Sequence, residues 1–369
     1  GAWLLAALLA GAGAEPARRV ALLRHCPRAP YASDRHPPLP PYNFTSINSY
    51  SSSAFPSYDV WGAAQGKCTP NGLALARRVG TALQGLLWAP HARVVADVGR
   101  CAATAAALGL NTSAVKVDQP LFDPLSAELP NCSQPDWQGT VEAEVARLRE
   151  RLRSARGQLP KLQAVLGAGQ APPLERIPDN VSDGYFVGGL RAASEAVVET
   201  FELERTSSMP VAWGKLTDGG LQEFLKLRAT YFEAMYGGRD IAQRYASGIL
   251  SELLAPATPG ATVLVGHDTN VQGVASLLGL EWQCGPWAAG AIPPLSGFLF
   301  TLAHGRVTVQ SVCPTLADGP ALAAGDATFA GGKGELPLED FSALANRSVE
   351  WRCVNASGAR PEAPRPLFV

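Results

Sequence analysis

Three short apolar runs recur along the chain: RRVALL at 18–23, RVVADV at 93–98 and ATVLVGH at 261–267, each rich in aliphatic residues and closing on polar ones. An unbroken apolar run of that length fits a parallel strand covered on both faces. Between them the pattern changes to a helical period, in NGLALARRVGTALQGLL (71–87) and CAATAAALGL (101–110). Strand followed by helix, repeated, is the alternation of a doubly wound sheet.

From 136 to 251 four amphipathic segments follow one another: VEAEVARLRERLRSARGQLPKLQAVL, GYFVGGLRAASEAVVETFELE, GGLQEFLKLRATYFEAMYG and DIAQRYASGILSELL. They carry almost no strand signal and predict an all-helical insertion. The Arg/Glu alternation of the first reads as a solvated face. Residues 31–66, rich in Pro, Ser, Tyr and Asn, have no period and predict a long loop beside the first strand's end. The expected organisation is an α/β core over 15–135 and 252–355, a helical cap at 136–251 and a tail at 356–369. A chain of 369 residues is long enough for such a core plus cap.

Composition narrows the class. Charged residues make up 17% and the net charge is −1, without a basic run, so no nucleic-acid partner is expected. Residues 1–14 are apolar and end in small residues with an A-x-A pattern at Ala12–Ala14. They read as the remnant of a secretory signal, with the mature chain starting near Glu15 and no membrane association afterwards. Six of the nine asparagines (Asn43, Asn111, Asn131, Asn180, Asn346 and Asn355) stand in N-x-S/T sequons, where chance would supply about one or two. They are expected N-glycan sites, placing the protein outside the cell or in a secretory-pathway, vacuolar or periplasm-like lumen. The seven cysteines contain no CxxC and no metal-ligand spacing, fit an oxidising compartment, and leave one thiol unpaired.

Two polar clusters close strands. Arg24-His25-x-x-Arg28-x-Pro30 follows the first, and Gly266-His267-Asp268-Thr269-Asn270 follows the last. Open α/β sheets bind ligands at the carboxyl ends of their strands. Two arginines bracketing a histidine are costly to hold together unless an anion sits between them. Arg100, after RVVADV, offers a third guanidinium at the same edge, while His36, His91 and His304 have no such company and are read as surface residues.

With these motifs the chain resembles the histidine acid phosphatases, in the branch of bacterial periplasmic phytases and glucose-1-phosphatases. The resemblance runs in order through LLRHCPRAP, FPSYDVWGAAQGKCTPNGLAL, ADVGRCAAT, LFDPL, DNVSDGYFVGGL, MPVAWGKLTD and VGHDTN, from about Arg18 to Arg352. It implies a phosphoglycerate-mutase-like doubly wound core with an inserted helical cap. It also implies a secreted acid phosphomonoesterase that acts on phytate or sugar phosphates through a phosphohistidine and needs no cofactor or metal. By the same resemblance His25 is the nucleophile and Asp268 the proton donor. Arg24, Arg28, Arg100 and His267 hold the phosphate, and Lys215 contacts a remote part of the substrate. A proton donor of that kind must be protonated when it acts, so the optimum is expected to be acidic.

Three positions depart from the family pattern: Cys26 where glycine follows the nucleophile, Ala102 where a second arginine often stands, and Lys215 where phytases of this branch often carry arginine. For Cys26 two alternatives stand open: a bridge to Cys101, which likewise follows a residue assigned to the phosphate and would tie the Cys26 side chain away from the site, or Cys26 as the odd free thiol, small enough to fit there. Cys26 is also the one feature favouring a rival reading, a catalytically impaired phospho-ligand-binding glycoprotein. A mutase or phosphotransferase using the same phosphohistidine is the other rival, and the secretory signal and GHDTN argue for hydrolysis instead.

Overall fold

The computed structural model describes residues 17–31, 47–87, 91–110, 114–255, 260–316 and 321–354. The signal remnant, the start near Glu15, His36, the sequons at Asn43, Asn111 and Asn355, and the tail lie outside the described residues. Of the other sequons, Asn131 and Asn180 are exposed and Asn346 is half-buried.

The strands are β1 (Arg18–Arg24), β2 (Ala92–Ala96), β3 (Val115–Val117), β4 (Asn180–Ser182), β5 (Tyr185–Val187), β6 (Gly260–Gly266), β7 (Glu281–Trp282), β8 (Gly297–Ala303), β9 (Arg306–Pro314), β10 (Leu322–Thr328) and β11 (Glu335–Pro337). Nine of them form one sheet in the order β3-β2-β6-β1-β8-β9-β10-β7, with β11 on β9. The three apolar runs are the parallel part: β6 lies between β2 and β1, and β3 flanks β2. From β1 outward the sheet is antiparallel.

That antiparallel half escaped the sequence reading. GFLFTLAHGRVTVQSVCP is a hairpin closed by His304 and Gly305, both at positive φ (52° and 68°), the backbone a two-residue turn demands. The same mechanism corrects part of the insertion. Asp183 and Gly184 turn at φ 50° and 78°, and β4 pairs with β5, so Tyr185–Val187 is a strand where a helix was expected.

Helices cover both faces of the sheet. The longer helices are α1 (Pro70–Leu87), α2 (Arg100–Ala107), α3 (Trp137–Arg147), α4 (Arg149–Arg156), α5 (Leu159–Leu166), α6 (Glu199–Thr206), α7 (Asp218–Tyr236), α8 (Arg239–Leu254), α9 (Asp268–Leu278) and α10 (Leu338–Ser348). Alternation within β1 sorts the layers. Val20 and Leu22 face α8, α9 and α10, whereas Ala21 and Leu23 face α1 and α2. All four are inaccessible, and full burial of a side chain such as Leu contributes roughly 1.5–3 kcal/mol. α3 to α7 build a second core around Leu152, Leu162, Phe201 and Tyr231. α8, read from sequence as part of the insertion, packs Ala242, Ala246 and Ile249 against the sheet side. No helix of the described residues is long and apolar enough to cross a membrane.

The disulfides are Cys26–Cys68, Cys132–Cys353 and Cys284–Cys313, and Cys101 is the free, buried thiol. Neither alternative for Cys26 holds: it is bridged, but to Cys68, and the free thiol is Cys101. Arg28 and Cys68 are bridged backbone to backbone, which brings Cys68 beside the exit of β1. Cys101, on the first turn of α2, points instead at the Gly266 carbonyl and the His267 ring.

Candidate active site

Register brings the two polar clusters together. Arg24 lies directly opposite Gly266 across the parallel β1–β6 pair, and the amide of His25 donates to the Gly266 carbonyl at 2.9 Å. The imidazoles of His25 and His267 consequently lie 5.2 Å apart, edge to face. Gly266 is required here because a Cβ would fall 2.5 Å from Asn270 Oδ1. That oxygen accepts from the His267 amide at 2.8 Å, so Asn270 caps the start of α9 and fixes the His267–Asp268 corner.

His25 is 1% exposed. Its Nδ1 lies 2.8 Å from the carbonyl oxygen of Cys26. A carbonyl only accepts, so Nδ1 carries the proton and Nε2 keeps its lone pair. Burial, then the positive charge of Arg100, lowers the pKa of His25 well below the ordinary imidazole value. The shift favours the neutral ring. Asp97, at the end of β2, places Oδ2 3.3 Å from Nδ1 of His267 and orients that ring. Asp97, Cys101 and His267 also bring one potential metal-ligand atom each within 4.8 Å of one another. The Asp97–His267 contact accounts for the arrangement without a metal.

Around the imidazoles stand four guanidiniums (Arg24, Arg28, Arg100 and Arg228) and four carboxylates (Asp97, Glu199, Glu202 and Asp268). Arg28 Nη2 bonds Glu199 at 2.9 Å, and Arg100 Nη1 donates to the Tyr31 hydroxyl at 2.6 Å. Arg228, on α7, lies 3.1 Å from Asp268 and 3.3 Å from Glu199. The Nε groups of Arg24, Arg28, Arg100 and Arg228 are buried with no acceptor in the described protein. Buried donors are rarely left so, and a cluster of them around two imidazoles suits an anion with several oxygens. A cleft of about 680 Å³ opens over Arg28, Arg100, Arg228, His267 and Asp268 toward the cap.

The structure brings together His25, Arg28, Arg100, His267 and Asp268, and places two of the sequence-assigned residues differently. Arg24 is fully buried beneath the cleft. Its Nη1 bonds Glu202 at 2.8 Å and the Ile292 carbonyl at 2.6 Å, and its Nη2 lies 3.0 Å from Glu199 and 3.2 Å from Asp268. Arg24 thus holds three carboxylates, and its Nε alone is left without an acceptor. Lys215 is not brought to the cleft. It is exposed, donates to the Val165 carbonyl at 3.1 Å and lies 4.8 Å from the Trp213 ring centre, because the turn at 211–214 directs it away from the sheet edge.

The sequence reading missed Arg228, Asp97, Glu199, Glu202 and Tyr31. Arg228 had a visible signal, a lone arginine in the apolar face of LKLRATYFEAMY, but its partners lie 29 and 40 residues away in sequence. Glu199 and Glu202 belong to VVETFELE, which a helical wheel alone reads as amphipathic.

The Asp268 carboxyl corrects another expectation. Burial alone would push its pKa up, but Arg24 and Arg228, with His267 and Arg28, outweigh burial and hold it below the ordinary carboxylate range. Asp268 is therefore held ionised among these cations, where the sequence led to the expectation of a protonated carboxyl. The objection from Cys26 also falls away: its side chain is tied to Cys68 and is inaccessible.

The fold is shared with solved phytases. The Hafnia alvei phytase solved with myo-inositol hexakis sulphate matches at 24% identity over 93% of this chain and 99% of that chain, with a TM-score of 0.74. The Klebsiella sp ASR1 phytase matches at 20% identity, 95% and 99% coverage and TM-score 0.74. The phytase from Citrobacter braakii matches at 21% identity, 92% and 99% coverage and TM-score 0.72. No protein-family model and no curated protein matches the chain.

Proposed function

We propose that the chain is a histidine acid phosphatase, an exported phosphomonoesterase that works through a phosphohistidine. The observation that carries this reading is the Arg24–Gly266 register, which sets a neutral, buried imidazole against His267 inside a ring of arginines. The fold shared with phytases supports the same class of reaction.

In the first half-reaction the lone pair on Nε2 of His25 attacks phosphorus as the P–O bond to the alcohol breaks. Arg28, Arg100 and His267 hold the nonbridging oxygens, and fixed cations of this kind supply most of the catalysis in phosphoryl transfer. In acid the ester is a monoanion, since its second ionisation lies near about 6. The arriving phosphate competes with Asp268 for the arginines and repels its charge, so the substrate's proton moves to Asp268 and then to the leaving oxygen. In the second half-reaction Asp268 takes a proton from water as the oxygen bonds phosphorus, the P–N bond breaks and returns its electron pair to Nε2 of His25, and Asp268 passes the proton to the departing phosphate, which restores the ionised carboxylate.

The three disulfides and the apolar, sequon-rich sequence support export and glycosylation. The deciding experiment is hydrolysis of an aryl phosphate at pH ~5 by the wild type and by His25→Ala. Turnover that disappears in the variant is the expected result. Equal turnover in both excludes the mechanism.

A further inference from the structure

Among the described residues the cap end of the cleft is an aromatic wall with no unpaired cation. Tyr185 stacks 6.2 Å from Trp137, Trp137 meets Tyr245 at 6.5 Å, and Tyr245 meets Tyr236 at 6.3 Å. Phe232 closes the row 4.6 Å from Tyr236. All of these except Trp137, which backs the wall, line the cleft. Burial pushes the phenols of Tyr236 and Tyr245 above their usual range, so the surface is uncharged.

Charge at this end is already balanced. Among the described residues the cleft is lined by four arginines and four carboxylates. Arg28 and Arg100 flank the reacting phosphate, and Arg228 is shared by Glu199 and Asp268. The remaining one, Arg191, comes from the start of the π-helical turn that precedes α6. It bonds Glu195 at 2.9 Å and lies 5.2 Å from the Tyr185 ring centre. A second or third phosphate on the substrate would find no unpaired cation among the described residues and would face Glu195 and Asp123. A flat, uncharged ring would find several aromatic faces.

We infer that the aromatic wall of Tyr185, Tyr236, Tyr245 and Phe232 is the subsite for the leaving alcohol, and that it selects monophosphate esters carrying one neutral aromatic ring over polyphosphorylated substrates. The inference rests on the phosphatase reading for the position of the phosphate. It reverses the expectation of phytate drawn from resemblance.

The test measures binding and turnover separately. Ethyl and 2-phenylethyl phosphonate resist hydrolysis and differ in the ring, so calorimetry on the whole protein reads the subsite whether or not the protein is an enzyme. Binding of the phenylethyl compound about tenfold tighter is expected, with the preference reduced to about twofold or less in Tyr185→Ala and in Tyr245→Leu. Equal affinities for the two compounds overturn the inference. In turnover, 2-phenylethyl phosphate should exceed inositol hexakisphosphate in kcat/KM, and Glu195→Gln, which releases Arg191, should shift that ratio several-fold toward the hexakisphosphate. A wild-type preference for the hexakisphosphate also overturns it. A binding preference for the ring without hydrolysis of any ester supports the subsite and overturns the phosphatase reading alone.

Discussion

The Nδ1 of His25 and the carbonyl oxygen of Cys26 are 2.8 Å apart, so the imidazole's proton is committed on one side and its lone pair faces the other. The phosphoryl adduct should therefore form on Nε2. Rapid quench with labelled substrate, followed by base digestion, should yield the Nε2-linked phosphohistidine isomer, acid-labile and base-stable. Recovery of the Nδ1-linked isomer would mean that this hydrogen bond is absent in the working enzyme.

Asp97 orients His267 across 3.3 Å. Asp97→Asn keeps the shape but removes the charged acceptor that fixes the ring. A loss of up to about 10²-fold in kcat/KM is expected, with the fold intact by circular dichroism. A variant within twofold of wild type would show that His267 is held by its other neighbours.

Because Arg24 and Arg228 keep Asp268 ionised and burial keeps His25 neutral, the alkaline limb of kcat/KM belongs to the substrate. Activity should fall as pH rises through the second ionisation of the ester, near about 6. The limb should move down with esters whose second ionisation is more acidic. A limb that stays fixed across such a series would assign the proton to a group on the enzyme.

Glu204 lies buried in the cap, where it accepts from the Ala212 amide at 2.8 Å. Burial raises its pKa to about 7 from an ordinary 4.5. The folded protein then binds this proton more tightly than the unfolded chain. The stabilisation is complete below pH 4.5 and is lost as pH rises through about 7. The loss is on the order of 3 kcal/mol. Glu204→Gln should raise Tm by a few degrees at pH ~8 and change it little at pH ~4. Equal effects at both pH values would remove the protonation argument.

Cys26–Cys68 closes a loop of 42 residues' separation at the mouth of the site. Replacing both cysteines by serine should cost about 2–4 kcal/mol of stability. Alkylation of the unfolded, unreduced protein should label Cys101 alone among the described cysteines, and Cys26 and Cys68 should appear in one linked peptide. Labelling of Cys26 before reduction would exclude the bridge.

The division between sequence and tertiary structure follows the range of the interactions involved. His25, Arg28, Arg100, His267 and Asp268 were legible because each sits in a short motif beside an apolar run, and the alternation of the chain says that such runs end at one edge of a sheet. The helical character of the cap was legible for the same reason, since a period is a local property. The two hairpins were missed although DG and HG mark them, because strand pairing depends on a partner that periodicity does not name. What only the tertiary structure decided is pairing at a distance. Cys68 rather than Cys101 meets Cys26 because the chain after β1 forms a backbone bridge with residues 42 positions or so further on. Arg228 and Glu199 come from the cap to complete a site whose motifs lie in the core, and Arg24 is engaged beneath the cleft by Glu199, Glu202 and Asp268. The ionisation of Asp268 is likewise a sum over charges from three parts of the chain, Arg24, Arg228 and His267, and a Coulombic sum of that kind exists only once folding has fixed the distances.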